Sequence, residues 1–222
     1  MEQLLIDTAL ERVRAALEAG NVDAAIAALS KLRPEDRAEA LADLSTADQA
    51  EMLDELSPKE AADILENLED DEAAEVAARL STETLADVLD EMDPDQAADV
   101  LGDLPKDKAA DALAQMDAAR AEDVIPLLAH EDDTAGGLMT PEFPHLRRQM
   151  TAQQAIEALR ALQPDAETHY YLYVVDRNNK LIGIVGLREL LMADPQATIE
   201  SFMNRDVISA PVGTDQEEVA RL

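Results

Sequence analysis

Residues 45–116 read, in blocks of twelve, STADQAEMLDEL (45–56), SPKEAADILENL (57–68), EDDEAAEVAARL (69–80), STETLADVLDEM (81–92), DPDQAADVLGDL (93–104) and PKDKAADALAQM (105–116). A period held over that length marks a repeat architecture, in which each unit stacks on its neighbours. In SPKEAADILENL, Ser57 caps the first free amides, Pro58 suits the first helical position and Glu60 completes a capping box. Ala61, Ile64, Leu65 and Leu68 then make an apolar stripe. The next block starts at once, so each helix has eight or nine residues, about 13 Å at 1.5 Å per residue. Helices that short do not stand alone in water. The expectation is an N-terminal α-solenoid of 12-residue period whose natural unit is a pair of helices.

The frame repeats two features. An apolar residue closes each unit at Leu44, Leu56, Leu68, Leu80, Met92, Leu104 and Met116, and an acid returns at Glu51, Asp63, Glu75, Asp87, Asp99, Asp111 and Asp123. Carboxylates held in rows must be neutralised or kept hydrated, so this ladder bears on partners as well as on fold.

Working outward, Leu4, Ile6, Leu10, Val13 and Leu17 have roughly helical spacing, and Gly20-Asn21 is a C-terminal stop. From Val22 the repeat is loose, through Ile26, Leu29 and Leu32. On the other side the pattern ends in HEDDTAGGLMTPEFP (130–144), where Gly136 and Gly137 break the helix and Pro141 and Pro144 forbid another. A domain boundary belongs there, separating residues 1–133 from the C-terminal part of the chain. Beyond it the grammar is mixed α and β: an amphipathic helix over Ala152–Leu162, a strand run YYLYVVD from Tyr170, a turn at Asp176-Arg177-Asn178-Asn179, a second strand LIGIVG from Leu181, and a helix LRELLMAD. This is a β-hairpin packed on helices, residues 134–197. After Pro195 the module begins again over 198–222, with a short helix, a Val207-Ile208 strand and a helix opening at Thr214, a second copy that these residues leave incomplete.

Composition narrows the function. Eighteen basic against 49 acidic side chains give a net charge of -31, which repels phosphate backbones and anionic lipid. Nucleic acid is not the expected partner. With 47 % apolar but only 2 % aromatic residues, the core is aliphatic. There is no cysteine, hence no disulfide and no thiolate metal site. The start lacks a cationic, unbroken apolar leader, and no run reaches the roughly 18 apolar residues of a membrane helix; a cytosolic setting is expected. His130, His145 and His169 are isolated, without the i, i+4 pairing of zinc motifs. No Ser-His-Asp, P-loop or dinucleotide glycine pattern occurs, so no enzyme is expected.

Three motifs carry a resemblance: Asp132-Asp133-Thr134-Ala135-Gly136-Gly137-Leu138-Met139-Thr140 at the junction, Asp165-Ala166-Glu167-Thr168 before Tyr170-Tyr171-Leu172-Tyr173-Val174-Val175-Asp176, and Thr214-Asp215-Gln216-Glu217-Glu218-Val219-Ala220-Arg221. With them the chain resembles the cytosolic part of MgtE-type magnesium transporters. Its helical half is similar to the family's N domain. Its second half is similar to the cystathionine-β-synthase (CBS) modules, the first complete and the second truncated. The resemblance implies a homodimeric parent with a transmembrane pore domain, absent from these residues, and a cytosolic region at the membrane's inner face that closes the pore when Mg²⁺ is abundant. It also implies the sensing carboxylates: Asp63, Asp95 and Asp99 in the repeats, Asp215 and Glu217 at the start of the second module. Asp95 and Asp99 are four apart and share a helical face, a like-charge pair that a cation would relieve.

Each of these residues has another reading. Asp95 follows Asp93-Pro94 in a first turn, where the helix dipole favours any carboxylate. Glu217 fits as the capping-box partner of Thr214. Asp63 and Asp99 fit a solvated face, and the whole ladder fits solubility or salt adaptation. CBS modules also bind adenine nucleotides such as ATP, through a Ser or Thr hydroxyl and an Asp after the second strand. Here Gly183-Ile184-Val185-Gly186-Leu187-Arg188-Glu189 offers Gly186 and Glu189 instead. A passive helical scaffold, similar to the repeat domains of flagellar motor switch proteins, is the third function class. Single CBS modules leave a sheet face uncovered, which again points to a homodimer.

Overall fold

The computed structural model describes residues 2–131, 133–141, 143–162 and 171–222. Asp132, the Asp165–Thr168 motif, His169 and Tyr170 lie outside the described residues. The chain divides into two compact units, residues 1–141 with 212–216, and residues 142–211 with 217–222.

The first unit is built of helices α1 (Glu2–Glu18), α2 (Val22–Leu29), α3 (Pro34–Ala42), α4 (Thr46–Glu55), α5 (Pro58–Leu65), α6 (Asp70–Ala77), α7 (Thr82–Glu91), α8 (Pro94–Asp103), α9 (Lys106–Gln115) and α10 (Ala118–Val124), with a 3-10 turn at Leu127–Ala129. Gly20, at φ +66°, ends α1 in the left-handed conformation that glycine adopts without strain. From α1 to α10 each helix packs on the one two places later, odd on odd and even on even, so the repeating unit is the helix pair of the sequence analysis. Counting from the first residue of each block, positions five, six, eight and nine are buried: Ala61, Ala62, Ile64 and Leu65 in α5; Leu85, Ala86, Val88 and Leu89 in α7; Ala97, Ala98, Val100 and Leu101 in α8. Alanine at position six lets the stacked helices approach closely.

Caps set the helix starts. Ser57 accepts from the Glu60 amide at 3.4 Å and donates its hydroxyl to Glu60 Oε2 at 2.7 Å, so Glu60 closes the turn through the Ser57 hydroxyl. Ser45 does the same with Asp48. Two cations close helix ends further along. Lys108 donates to the carbonyls of Ala78 and Leu80, at 2.8 and 2.5 Å, and Arg120 to those of Asp90 and Met92, at 2.9 and 2.6 Å. Burial holds the Lys108 ammonium below its ordinary range.

At the junction the expected helix break is a turn. Thr134 Oγ1 donates to the Glu131 carbonyl at 2.7 Å and accepts from Gly137 N. Residues 133–136 pair with 212–216 through Ala135 N to Thr214 O, Gly136 N to Val212 O and Gln216 N to Asp133 O. Thr134 and Asp215 are opposite one another in an antiparallel bridge.

The second unit carries β1 (His145–Arg147), α11 (Ala152–Leu162), β2 (Tyr171–Val175), β3 (Leu181–Gly186), α12 (Leu187–Met192), α13 (Ile199–Phe202) and α14 (Gln216–Val219, split between the units). The sheet order is β1-β2-β3, with β1 parallel to β2 and β2 antiparallel to β3. Asp176 makes the hairpin turn by accepting from Lys180 N and Asn178 N, at 3.0 and 2.8 Å, and these bonds lower its carboxyl below the ordinary range. Leu146, Ala155, Leu172, Val174, Val185 and Leu190 form the core. Two expectations are corrected. Val207-Ile208 is not a strand: pairing with β3 is confined to Asn204, which exchanges both hydrogen bonds with Ile184 at 2.8 Å, and just beyond it the amides of Asp206 and Val207 turn inward to Asn204 Oδ1 and Arg205 O. The last helix opens at Gln216 rather than Thr214, because Thr214 O and the residues beside it are committed to the pairing with 133–136.

Candidate metal centre

The acid ladder separates on folding. Glu51, Glu75, Asp87, Asp111 and Asp123 are exposed, whereas Asp63 and Asp99 are half-buried. Those two are the ladder positions expected to sense an ion. Asp63 is on α5 and Asp99 on α8, with Asp95 one turn before it and also half-buried.

Between Asp63 and Asp95 stands a residue that the sequence analysis did not single out. Glu66, the C-cap of α5, accepts from the backbone N–H of Asp93, the N-cap of α8, at 2.7 Å. Burial pushes the Glu66 carboxyl up to about 7; the Asp93 hydrogen bond opposes the rise, while the charges of Asp93, Asp63 and Asp95 add to it. Negative charge from two helices therefore converges on one spot. Asp95 Oδ1 is buried there with no hydrogen-bond donor. A buried carboxylate oxygen without a donor is costly, and a cation or its hydration water relieves that cost. The donor set fits a hard dication: all-oxygen, anionic and partly open to water. Among the described residues no group of three or more His, Asp or Glu is placed to hold a metal ion by itself; Mg²⁺ keeps several waters and takes only one or two direct carboxylates.

A second copy of the arrangement occurs at Asp90, whose two oxygens accept from Asp117 N at 3.0 Å. Burial raises its carboxyl too; the Asp117 hydrogen bond and then the Arg120 cation oppose the rise, while the charges of Asp117 and Asp87 add to it. The signal available in sequence was the offset of 27 residues shared by Glu66–Asp93 and Asp90–Asp117, an acid in the tenth position of one block facing the first residue of the block three later.

The other two expected ligands are placed differently. Asp215 is in the segment paired with residues 133–136, in the first unit. Glu217 is in the second unit, on α14, largely exposed, its Oε2 at 2.9 Å from Arg221 Nη2. At the nucleotide-type position of the hairpin, the Glu189 carboxylate accepts from Gly186 N at 3.2 Å.

Fold and sequence define a class: an acidic helical-repeat domain joined to a CBS-type module. Residues 32–133 match the MgtE intracellular N domain family and residues 135–195 the CBS domain family. The magnesium transporter MgtE of Thermus thermophilus is 48 % identical over 100 residues, 45 % of this chain and 22 % of that protein. Among solved structures, the soluble part of a magnesium transporter superposes with a TM-score of 0.84 at 32 % identity, over 97 % of this chain and 85 % of that one. The cytosolic domain of the Mg²⁺ channel MgtE in complex with ATP superposes at 0.83 and 34 % identity, over 96 % and 87 %. The chain belongs to the MgtE family of magnesium transporters, of which it carries the intracellular N domain and CBS region. The matched segment covers about a fifth of the length of that Thermus thermophilus transporter. No described helix is long and apolar enough to cross a membrane.

Proposed function

We propose that this region is the cytosolic Mg²⁺ sensor of a magnesium transporter, and that ion binding to its N and CBS domains (residues 1–133, 134–197 and the start of a second module at 198–222) closes the pore of the parent protein, a homodimer. The observation that carries the reading is that Asp63 and Asp99, alone among the ladder positions, are half-buried, while Asp95 Oδ1, one turn before Asp99, is buried with no donor. A solvated face would leave every rung alike. Asp63, Asp95 and Asp99 are the ligands on the repeats, and Asp215 and Glu217 those at the start of the second module. Bound Mg²⁺ supplies two positive charges and an ordered hydration shell. The residues supply the opposing force: two unit charges about 4 Å apart cost roughly 4 kcal/mol at an effective dielectric near 20. Acidic domains thus stay apart until their carboxylates are neutralised, and the population shifts to a closed arrangement with the ion present. The test is small-angle scattering and limited proteolysis of the cytosolic region, both CBS modules complete, across millimolar MgCl₂. Compaction and protection beyond that given by an ionically matched NaCl control are expected; identical curves in chelator and in Mg²⁺ defeat the proposal.

The likeness to an ATP complex favours a second reading, nucleotide binding at the CBS region. Against it, Gly186 lacks the hydroxyl that nucleotide-binding CBS modules carry there, and Glu189, longer than their Asp, is bonded to Gly186 N. Calorimetry with ATP, with and without Mg²⁺, separates the two: heat of binding from ATP alone supports this second reading.

A further inference from the structure

In every block of 45–104, whose helix has a later one stacked on it, the sixth and ninth positions are buried. The sixth is Ala50, Ala62, Ala74, Ala86 and Ala98 in turn, the ninth Leu53, Leu65, Ala77, Leu89 and Leu101. In the last two blocks the same positions are uncovered. Ala110 and Glu122 are exposed at the sixth, Leu113 is half-buried, and Ile125 is 55 % exposed at the ninth. The columns end there, α9 packed on α7 and α10 on α8. What remains is a groove of about 590 Å³ whose lining includes Leu113, Met116, Ala121, Glu122, Ile125 and Pro126.

We propose that this open end of the solenoid docks a cationic amphipathic helix from a partner protein, seated where the next repeat would stack. The shape follows from the register: the uncovered positions are those buried wherever a later helix of two to three turns is stacked on, so the occupant presents apolar residues at i, i+3 and i+4. Its charge follows from a substitution within the repeat. The sixth position changes from alanine to Glu122 in the groove itself, while Asp111, Asp117 and Asp123 are exposed on the same two helices and their connection. Of the cations there, Lys108 and Arg120 are engaged by carbonyls of earlier turns. A second copy of this chain, at a net charge of -31, brings the wrong sign. The proposal does not depend on the Mg²⁺ reading.

The test uses the 222-residue protein and a labelled synthetic helix of about 14 residues, Leu and Ile at i, i+3, i+4 and i+7 and Lys elsewhere, with a Glu-for-Lys counterpart. Anisotropy titrations are run near 0.15 M salt, where exposed charges more than about 8 Å apart are screened. The Lys peptide binds, and Ile125→Asp and Leu113→Asp each weaken it tenfold or more. Glu122→Ala weakens it severalfold and flattens its salt dependence. Leu191→Asp, on an equally exposed residue of α12, leaves binding unchanged, and circular dichroism shows Ile125→Asp with wild-type helicity. Equal binding of the Glu peptide, wild-type affinity in both groove variants, or self-association of the protein that Ile125→Asp abolishes would each overturn the proposal.

Discussion

Glu66 makes the sharpest prediction, because its environment is set by three neighbouring acids and one hydrogen bond. Its carboxyl rises from an ordinary 4.5 to about 7. In a group fully shielded from water, 1.36 kcal/mol per pH unit would make this about 3 kcal/mol. Glu66 is only half-buried, and solvent screening reduces the figure to about 1–2 kcal/mol. The sign follows from proton counting. Between pH 4.5 and about 7 the folded protein holds a proton on Glu66 that the unfolded chain has released, so stability falls as pH rises through that window. The contribution is fully present below 4.5 and lost above 7. Glu66→Gln keeps a carbonyl oxygen to accept from Asp93 N and removes the titration. At pH 8 without Mg²⁺ the variant is expected to be more stable by about 1–2 kcal/mol, or about 3–6 °C in Tm for a chain of this size; at pH 4.5 the two proteins melt together. Thermal melts by far-UV circular dichroism from pH 4.5 to 8 make the comparison. A wild type and variant with the same pH dependence, or a variant less stable at pH 8, would refute the electrostatic account of this site.

Asp95→Asn replaces a carboxylate whose Oδ1 has no donor; it is expected to raise stability slightly in chelator and to abolish at least half of the Mg²⁺-dependent protease protection, read on the same gel series. Gly136→Ala places a Cβ 2.5 Å from His130 Cγ, a clash expected to cost about 1–3 kcal/mol and to be relieved by adding His130→Ala, measured by chemical denaturation. Lys108→Met keeps the aliphatic stem and deletes the donors to Ala78 and Leu80; a loss of about 1–2 kcal/mol is expected, with hydrogen exchange accelerating first at the end of α6.

The period of twelve made the solenoid legible because the environment of each core position also repeats: a residue buried at position eight in α5 is buried at position eight in α7 and α8, so one block's stripe describes them all. The helix pairing, the stop at Gly20 and the hairpin around Asp176 were legible for a similar local reason, since caps and turns are decided by residues within four positions. Val207-Ile208 was misread because β-branched residues make a strand only where their amides pair across an edge, and here the amides of Asp206 and Val207 bond locally to Asn204 Oδ1 and Arg205 O. Asp63 and Asp99 could be picked from a resemblance but not from their block, which presents Glu75, Asp87 and Asp111 in the same frame, and Asp95 shares its third position with Asp71, Glu83 and Asp107. What distinguishes them is contact across helices: Glu66 joins α5 to α8 through the amide of Asp93, drawing Asp63 and Asp95 into one field. The parallel site at Asp90 shows why the distinction is chemical. Its burial is opposed by Arg120, which supplies the counter-charge from within the chain. For Glu66, the neighbouring charges of Asp93, Asp63 and Asp95 all add to the rise that burial begins. Two sites with one geometry therefore divide by whether the protein carries its own cation, and the one that does not is the one expected to respond to the cation in solution.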